Sequence, residues 1–322
     1  MNLTSLPSLE RVLSLGLKDP ARQEVPPWLR ASRHAGHSFV RRVTRQISDG
    51  GIRRPLPPPA CPAGWQVGPP HFVGIGGQRC GTTRWFDLVA SHPEVLPPLV
   101  AKELHYFDRF YTGGFGEADA SAYHRYFPRP ADRMTGMTGE WTPGYLSAPW
   151  IPRLLARAAP NARLLVLLRD PLERYLSGLE HDARMAAQQG APLSSLAPME
   201  AFARGLYHAQ LTRVLAHFDR SRVLVLQYER CVREPHAQLE RTFAFLGLEQ
   251  GAFLPDVTAK PHHQQNKPRL SEDVLGEYVE AYSGDVLRLA REFDEIDLTL
   301  WPNFAHLADP LGSAPMSAAV SS

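Results

Sequence analysis

Three short stretches of the chain carry residue types that can do chemistry. The first is Gly76-Gly77-Gln78-Arg79-Cys80-Gly81-Thr82-Thr83-Arg84, a glycine-rich turn set between a short apolar run at 71–75 and Trp85, Leu88 and Val89 at helical spacing. Strand, glycine loop and helix in that order aim backbone N–H groups at an anion. The helix N-terminus adds roughly half a positive charge, so phosphate is the natural guest. The second stretch is Lys102-Glu103-Leu104-His105-Tyr106-Phe107, where two ionisable side chains sit in an apolar, aromatic context. If that segment is extended, Glu103 and His105 project to the same face and line one site. The third is the pair Arg169 and Ser177, the first just past a buried apolar run and the second on the helix that follows. An arginine and a hydroxyl so placed can clamp a second phosphate.

The glycine loop comes close to a Walker A motif and departs from it at one position. Gly76 and Gly81 match G-x-x-x-x-G-K-[ST], but Thr82 stands where the lysine belongs. That lysine reaches β- and γ-phosphates, so the loop can cradle a phosphate yet is poorly built to split a triphosphate. The loop's own cation before Gly81 is Arg79. Asp170 also follows an apolar strand, but Asp170-Pro171 reads as a helix N-cap with proline at the first helical position rather than as a magnesium ligand.

These residues need elements to hold them. The run at 164–168 reads as a strand buried on both faces, typical of a parallel sheet. A helix from Pro171 carries Leu172, Tyr175, Leu176 and Leu179. The chain continues with a helix over 199–218, a strand over 223–227, a helix over 239–246 capped by Gly247, and a closing helix over 272–293. Shorter helices are expected at 120–127 and 150–158, and Gly139-Glu140-Trp141-Thr142-Pro143-Gly144 reads as a strand end passing into a turn. Strands alternating with helices predict an α/β fold: a doubly wound parallel sheet flanked by helices, with ligands at the carboxyl ends of the strands.

The 322 residues divide into an Arg/Pro-rich extension (1–65), one α/β domain (66–306) and a small, polar tail (307–322) expected to be disordered. The extension's arginines read as a solvated or partner-packed face, and its proline run as a stiff linker. A net charge of +2 gives no argument for nucleic acid. No run approaches the roughly 18 apolar residues of a membrane span, and no apolar leader is visible in the first thirty residues. Cys61, Cys80 and Cys231 form no pairing framework, so a reducing, cytoplasmic setting is expected.

The four motifs GGQRCGTTR, KELHYFD, GEWTPGY and LLVLLRDPLERYLSG, in this order and spacing, resemble the PAPS-dependent sulfotransferases, a P-loop fold family. The likeness runs from about residue 71 to 301 and is greatest to the heparan-sulfate branch and its bacterial relatives. It implies 3′-phosphoadenylyl sulfate (PAPS) as donor, PAP as product, and a hydroxyl or amine of a glycan, lipid or small molecule as acceptor, with no metal. Carried over residue by residue, it puts Arg79, Cys80, Gly81, Thr82, Thr83 and Arg84 at the 5′-phosphosulfate, Arg79 standing where the family has lysine. Arg169 and Ser177 match its 3′-phosphate pair, and Lys267 and Arg269 its late basic loop. Glu103 matches the general base of the glycan-modifying branch, with His105 as the competing base. The family's glycan enzymes carry lysine at the position of Trp141, which is here either an aromatic acceptor wall or a core residue. Two rival readings are a magnesium-dependent P-loop kinase, against which Thr82 speaks, and a non-catalytic PAP-binding module, which has no need of Glu103.

Overall fold

The computed structural model describes residues 48, 49, 52, 53, 55–96, 102–131, 136–249, 255, 257 and 270–308. The arginine cluster at 41–45, the paired His262 and His263, the basic residues Lys267 and Arg269, and the tail beyond 308 lie outside them.

Four strands make one parallel sheet: β1 (Phe72–Gly76), β2 (Gly139–Trp141), β3 (Arg163–Leu168) and β4 (Val223–Gln227), in spatial order β2-β1-β3-β4. Period-two alternation assigns each strand residue to a side. Phe72, Leu165, Leu167, Leu224 and Leu226 bury one face against helices α1 (Thr82–Ala90) and α8 (Pro235–Leu246). Val73, Ile75, Leu164, Val166, Leu168, Val223 and Val225 bury the other. Packed there are apolar side chains of α3 (Ile151–Ala158), α4 (Pro171–Gln188), α6 (Tyr207–Leu215) and α9 (Glu272–Glu292). Because α1 leaves β1 on one face and α4 leaves β3 on the other, the carboxyl ends of these neighbouring strands open a crevice, the usual ligand position in such sheets.

The expected helix over 199–218 is two helices, α5 (Ala197–Ala203) and α6, broken at Gly205. The ring of Tyr282 occupies the space a Gly205 side chain would need, with Cε1 2.7 Å from the Cβ position, so the chain turns there. The turn sends the buried Tyr207 toward the crevice. The helix expected at 120–127 is α2 (Glu117–His124), and a short α7 (Tyr228–Arg233), not expected from the sequence, follows β4 directly. The strand Trp65–Val67 straddles the boundary drawn at residue 66 and pairs antiparallel with Pro128–Pro130. The Tyr126 hydroxyl donates to the Leu56 carbonyl at 2.6 Å, which packs the proline linker onto the domain.

Candidate active site

The loop after β1 turns on two residues in left-handed backbone, Arg79 (φ 68°) and Gly81 (φ 83°). Gly81 is the N-cap of α1, and it has no side chain with which to cap. A Cβ there would meet the Tyr228 ring at 2.8 Å, so glycine is required by both conformation and space. The first turn of α1 has no side-chain cap, so its N–H donors can face an anion. The loop is held from behind. The Gly77 N–H donates to the Leu167 carbonyl of β3 at 2.6 Å, and Trp141 Nε1 donates to the Gly76 carbonyl at 3.1 Å. Trp141 is fully buried, its ring filling the space opposite Gly74, so it belongs to the core and is no acceptor wall. Cys80 is also buried, its thiol directed at Gln78 and the Tyr207 hydroxyl, and burial pushes it up to about 11. Arg84 turns to the Val257 carbonyl.

Arg79 reaches across the crevice to α4, where its Nε donates to Ser177 Oγ at 3.1 Å. Ser177 is fully buried. Burial lowers the Arg79 pKa, and the like charges of Arg184 and Arg169 add to that, only partly opposed by Glu180 and Asp182. Arg169 itself pairs with Glu173 at 2.9 Å and lies over the Tyr228 ring at 5.1 Å. Its backbone carbonyl accepts from the Tyr207 hydroxyl at 2.9 Å. Asp170 is the expected cap: Oδ1 accepts from the N–H groups of Leu172 and Glu173, and Oδ2 accepts from Asn303. Both carboxylate oxygens are thus committed to the fold.

The segment 102–107 is not extended. Glu103 and His105 both adopt left-handed backbone, with φ of 71° and 52°. The kinks still bring the two side chains together, His105 Nε2 lying 3.4 Å from Glu103 Oε2 while Nδ1 lies 2.8 Å from Asp108 Oδ2. An imidazolium in that place donates to both carboxylates. The segment is braced by the neighbouring β2 strand and its turn. Tyr145 Oη accepts from the Tyr106 N–H at 2.9 Å, Thr142 Oγ1 lies 3.5 Å from the His105 N–H, and the buried Glu140 accepts from the Thr142 and Tyr123 hydroxyls. Glu103 stands out by access: its side chain is 37% exposed against 8% for His105. Burial alone would raise the Glu103 pKa, but the His105 hydrogen bond and the Lys102 charge outweigh it and hold the carboxyl at about 2. The carboxyl is thus favoured in its ionised form, partly exposed, and set between Lys102 and His105.

Of the residues expected at the site, Arg79, Gly81, Thr82, Thr83, Arg169, Ser177, Glu103 and His105 lie around the α1 N-terminus and the start of α4. The Cys80 thiol and Arg84 side chain turn away, and Lys267 and Arg269 lie outside the described residues. Tyr207, Tyr228 and the contacts of Lys102 with Thr82 and Thr83 stand beside them without a local sequence signal. Asp108 stands there too, at the end of the KELHYFD motif.

The family model for the "Sulfotransferase family" matches residues 143–251, which include β3, α4 and β4. Heparan sulfate glucosamine 3-O-sulfotransferase 6 of Homo sapiens is 28% identical over 192 residues, covering 56% of this chain and 53% of that protein. Bifunctional heparan sulfate N-deacetylase/N-sulfotransferase 4 of Mus musculus is 23% identical over 194 residues, 56% of this chain and 22% of its own. This chain thus spans about half the length of the first relative and less of the second. A sulfotransferase from Alicyclobacillus acidocaldarius superposes with a TM-score of 0.56 at 25% identity, covering 73% of this chain and 99% of that one. Over residues 143–251 the chain is similar to the sulfotransferase family, and its fold is similar to that of a solved sulfotransferase. Among the described residues, no helix is long and apolar enough to cross a membrane.

Proposed function

We propose that this protein moves a sulfuryl group from PAPS to a hydroxyl, or an amine, of a glycan or small-molecule acceptor. The observation that carries the reading is the Arg79–Ser177 hydrogen bond, which joins the phosphate cradle after β1 to the arginine-and-hydroxyl clamp after β3 and so makes one crevice for a donor with two anionic ends. In this reading the α1 N–H groups with Thr82 and Thr83 hold the 5′-phosphosulfate. Arg169 and Ser177, together with Lys267 and Arg269, hold the 3′-phosphate. The donor supplies an electrophilic sulfur attached to a good leaving group.

The chain's own residues then do three things. The crevice aligns acceptor and donor, which converts an encounter of two molecules into a positioned transfer. Glu103 takes the acceptor proton as the new O–S or N–S bond forms, while the bond from sulfur to the 5′-phosphate oxygen breaks and its electron pair leaves with PAP. A carboxylate held near 2 is a weak base toward a free alcohol. It suffices here because the attacking oxygen becomes acidic as its bond to sulfur forms. His105, bridging Glu103 and Asp108, fixes the carboxylate's direction. The relatives named for heparan sulfate support a sugar hydroxyl or amine as acceptor. Three cysteines without a disulfide support a reducing, cytoplasmic setting.

The test is transfer of radiolabelled sulfate from PAPS to a panel of desulfated glycans, phenols and long-chain alcohols. Label on any acceptor, abolished by Glu103→Gln, is the expected result. PAP binding with no transfer to any of them, and no effect of Glu103→Gln on donor breakdown, would favour a non-catalytic binding module.

A further inference from the structure

The cradle lacks a lysine at position 82, and its own arginine is turned away toward Ser177. The positive charge at the α1 N-terminus comes from elsewhere in the chain. Lys102 Nζ lies 3.0 Å from Thr83 Oγ1, 3.3 Å from Thr82 Oγ1 and 3.3 Å from Glu103 Oε1. An ammonium has three donors and no acceptor, so these three contacts use all of them. Each threonine oxygen that accepts from Lys102 keeps its own O–H to give, so it can still donate to a ligand at the α1 N-terminus. The Lys102 side chain is 13% exposed, so its charge acts in a partly desolvated place where it weighs more than at a surface. The charged groups facing it are Glu103 and Asp87.

We propose that Lys102 is the cation serving the sulfuryl end of the donor, standing in from a neighbouring segment for the lysine absent from the loop. It polarises the Thr82 and Thr83 hydroxyls toward the phosphosulfate and offsets the charge that leaves with the 5′-phosphate. Arg79, in contrast, belongs to the Ser177 side of the crevice. This inference rests on the donor assigned above.

PAP and adenosine 3′-monophosphate share base, ribose and 3′-phosphate and differ only in the 5′-phosphate, so the ratio of their Kd values isolates the subsite of the phosphate that carries the sulfuryl group in PAPS. Calorimetric titration of both into the full chain would compare wild type with Lys102→Met, Lys102→Arg and Arg79→Met. The expected result is that Lys102→Met cuts the preference for PAP by about ten- to a hundredfold, one charge-assisted hydrogen-bonding group's worth, and leaves adenosine 3′-monophosphate unaffected. Lys102→Arg should keep part of the preference, and Arg79→Met should weaken both nucleotides alike. Should the methionine variant fail to fold, Lys102→Gln keeps an N–H donor, removes the charge and carries the same expectation. An unchanged ratio in the Lys102 variants, or a ratio that collapses only in Arg79→Met, would overturn the proposal. Wild type that ignores PAP altogether would instead overturn the donor reading on which it rests.

Discussion

Arg79 and Ser177, 98 residues apart, meet at 3.1 Å and tie the turn after β1 to the second turn of α4. The contact makes the two halves of the crevice one unit. A cycle of Arg79→Met, Ser177→Ala and the double variant should therefore be non-additive in PAP affinity, with a coupling of about 0.5–3 kcal/mol as contacting residues show. Calorimetry measures it. Strict additivity would mean the two side chains act on the ligand independently.

Glu103 and His105 differ in what their removal should do. Glu103→Gln keeps shape and leaves PAP binding intact, while turnover drops about 100-fold or more, the usual weight of a general base. Asp108→Asn, acting only through the orientation of His105, should lower turnover less and leave the PAP Kd unchanged. Unchanged turnover in Glu103→Gln would move the proton transfer to His105.

Arg169 is held by Glu173 at one end and stacked on Tyr228 by its face, so its guanidinium is already oriented before any ligand arrives. Arg169→Ala should weaken PAP by about 1.5–3 kcal/mol, the value of a charged hydrogen bond. Adenosine 5′-monophosphate, which lacks the 3′-phosphate, should bind the two proteins equally. A loss shared by both nucleotides would place the 3′-phosphate elsewhere.

Trp141 fills the space above Gly74, where an added Cβ would lie 1.9 Å from its ring, and it also holds the Gly76 carbonyl. Trp141→Ala should cost about 3–5 kcal/mol in a urea melt, as for other fully buried large rings. Trp141→Lys should cost at least as much, because it buries a charge without a partner. A loss under about 1 kcal/mol would remove Trp141 from the core.

Glu229 accepts from the Asp170 N–H and from Trp301 Nε1, yet burial lifts its carboxyl from an ordinary 4.5 to about 7. Between those values the folded protein holds a proton the unfolded chain has released, so stability falls as pH rises through that window. The Tm should drop from about pH 5 to about pH 8, and Glu229→Gln should flatten the profile over that range. Equal slopes in the two proteins would assign the dependence to another group.

What the sequence made legible was local. The β1 run, the glycine loop and α1, the five-leucine-and-valine strand β3, the Asp170 cap and the left-handed Gly247 at the end of α8 each carry their signal within a few residues, and the structure has them there. What it hid was set by contacts from far along the chain. The break before α6 answers to Tyr282, and the kinks at Glu103 and His105 are held by Thr142 and Tyr145. Non-glycine residues in left-handed backbone have no reliable local signal. The two possible places of Trp141 could have been separated by noticing Gly74, its partner across the β1–β2 register. Lys102 is next to Glu103 in sequence, whereas its contacts with Thr82 and Thr83 span about twenty residues and leave no local signal.

The most direct measurement is calorimetric titration of the purified full chain with PAP, without metal, beside ATP with magnesium. Tight PAP binding and little heat from ATP–magnesium is the predicted result, because a cradle without a lysine at position 82 suits a single phosphate and its ester better than a triphosphate chain. Preference for ATP–magnesium would contradict the donor assignment and put a P-loop kinase in its place.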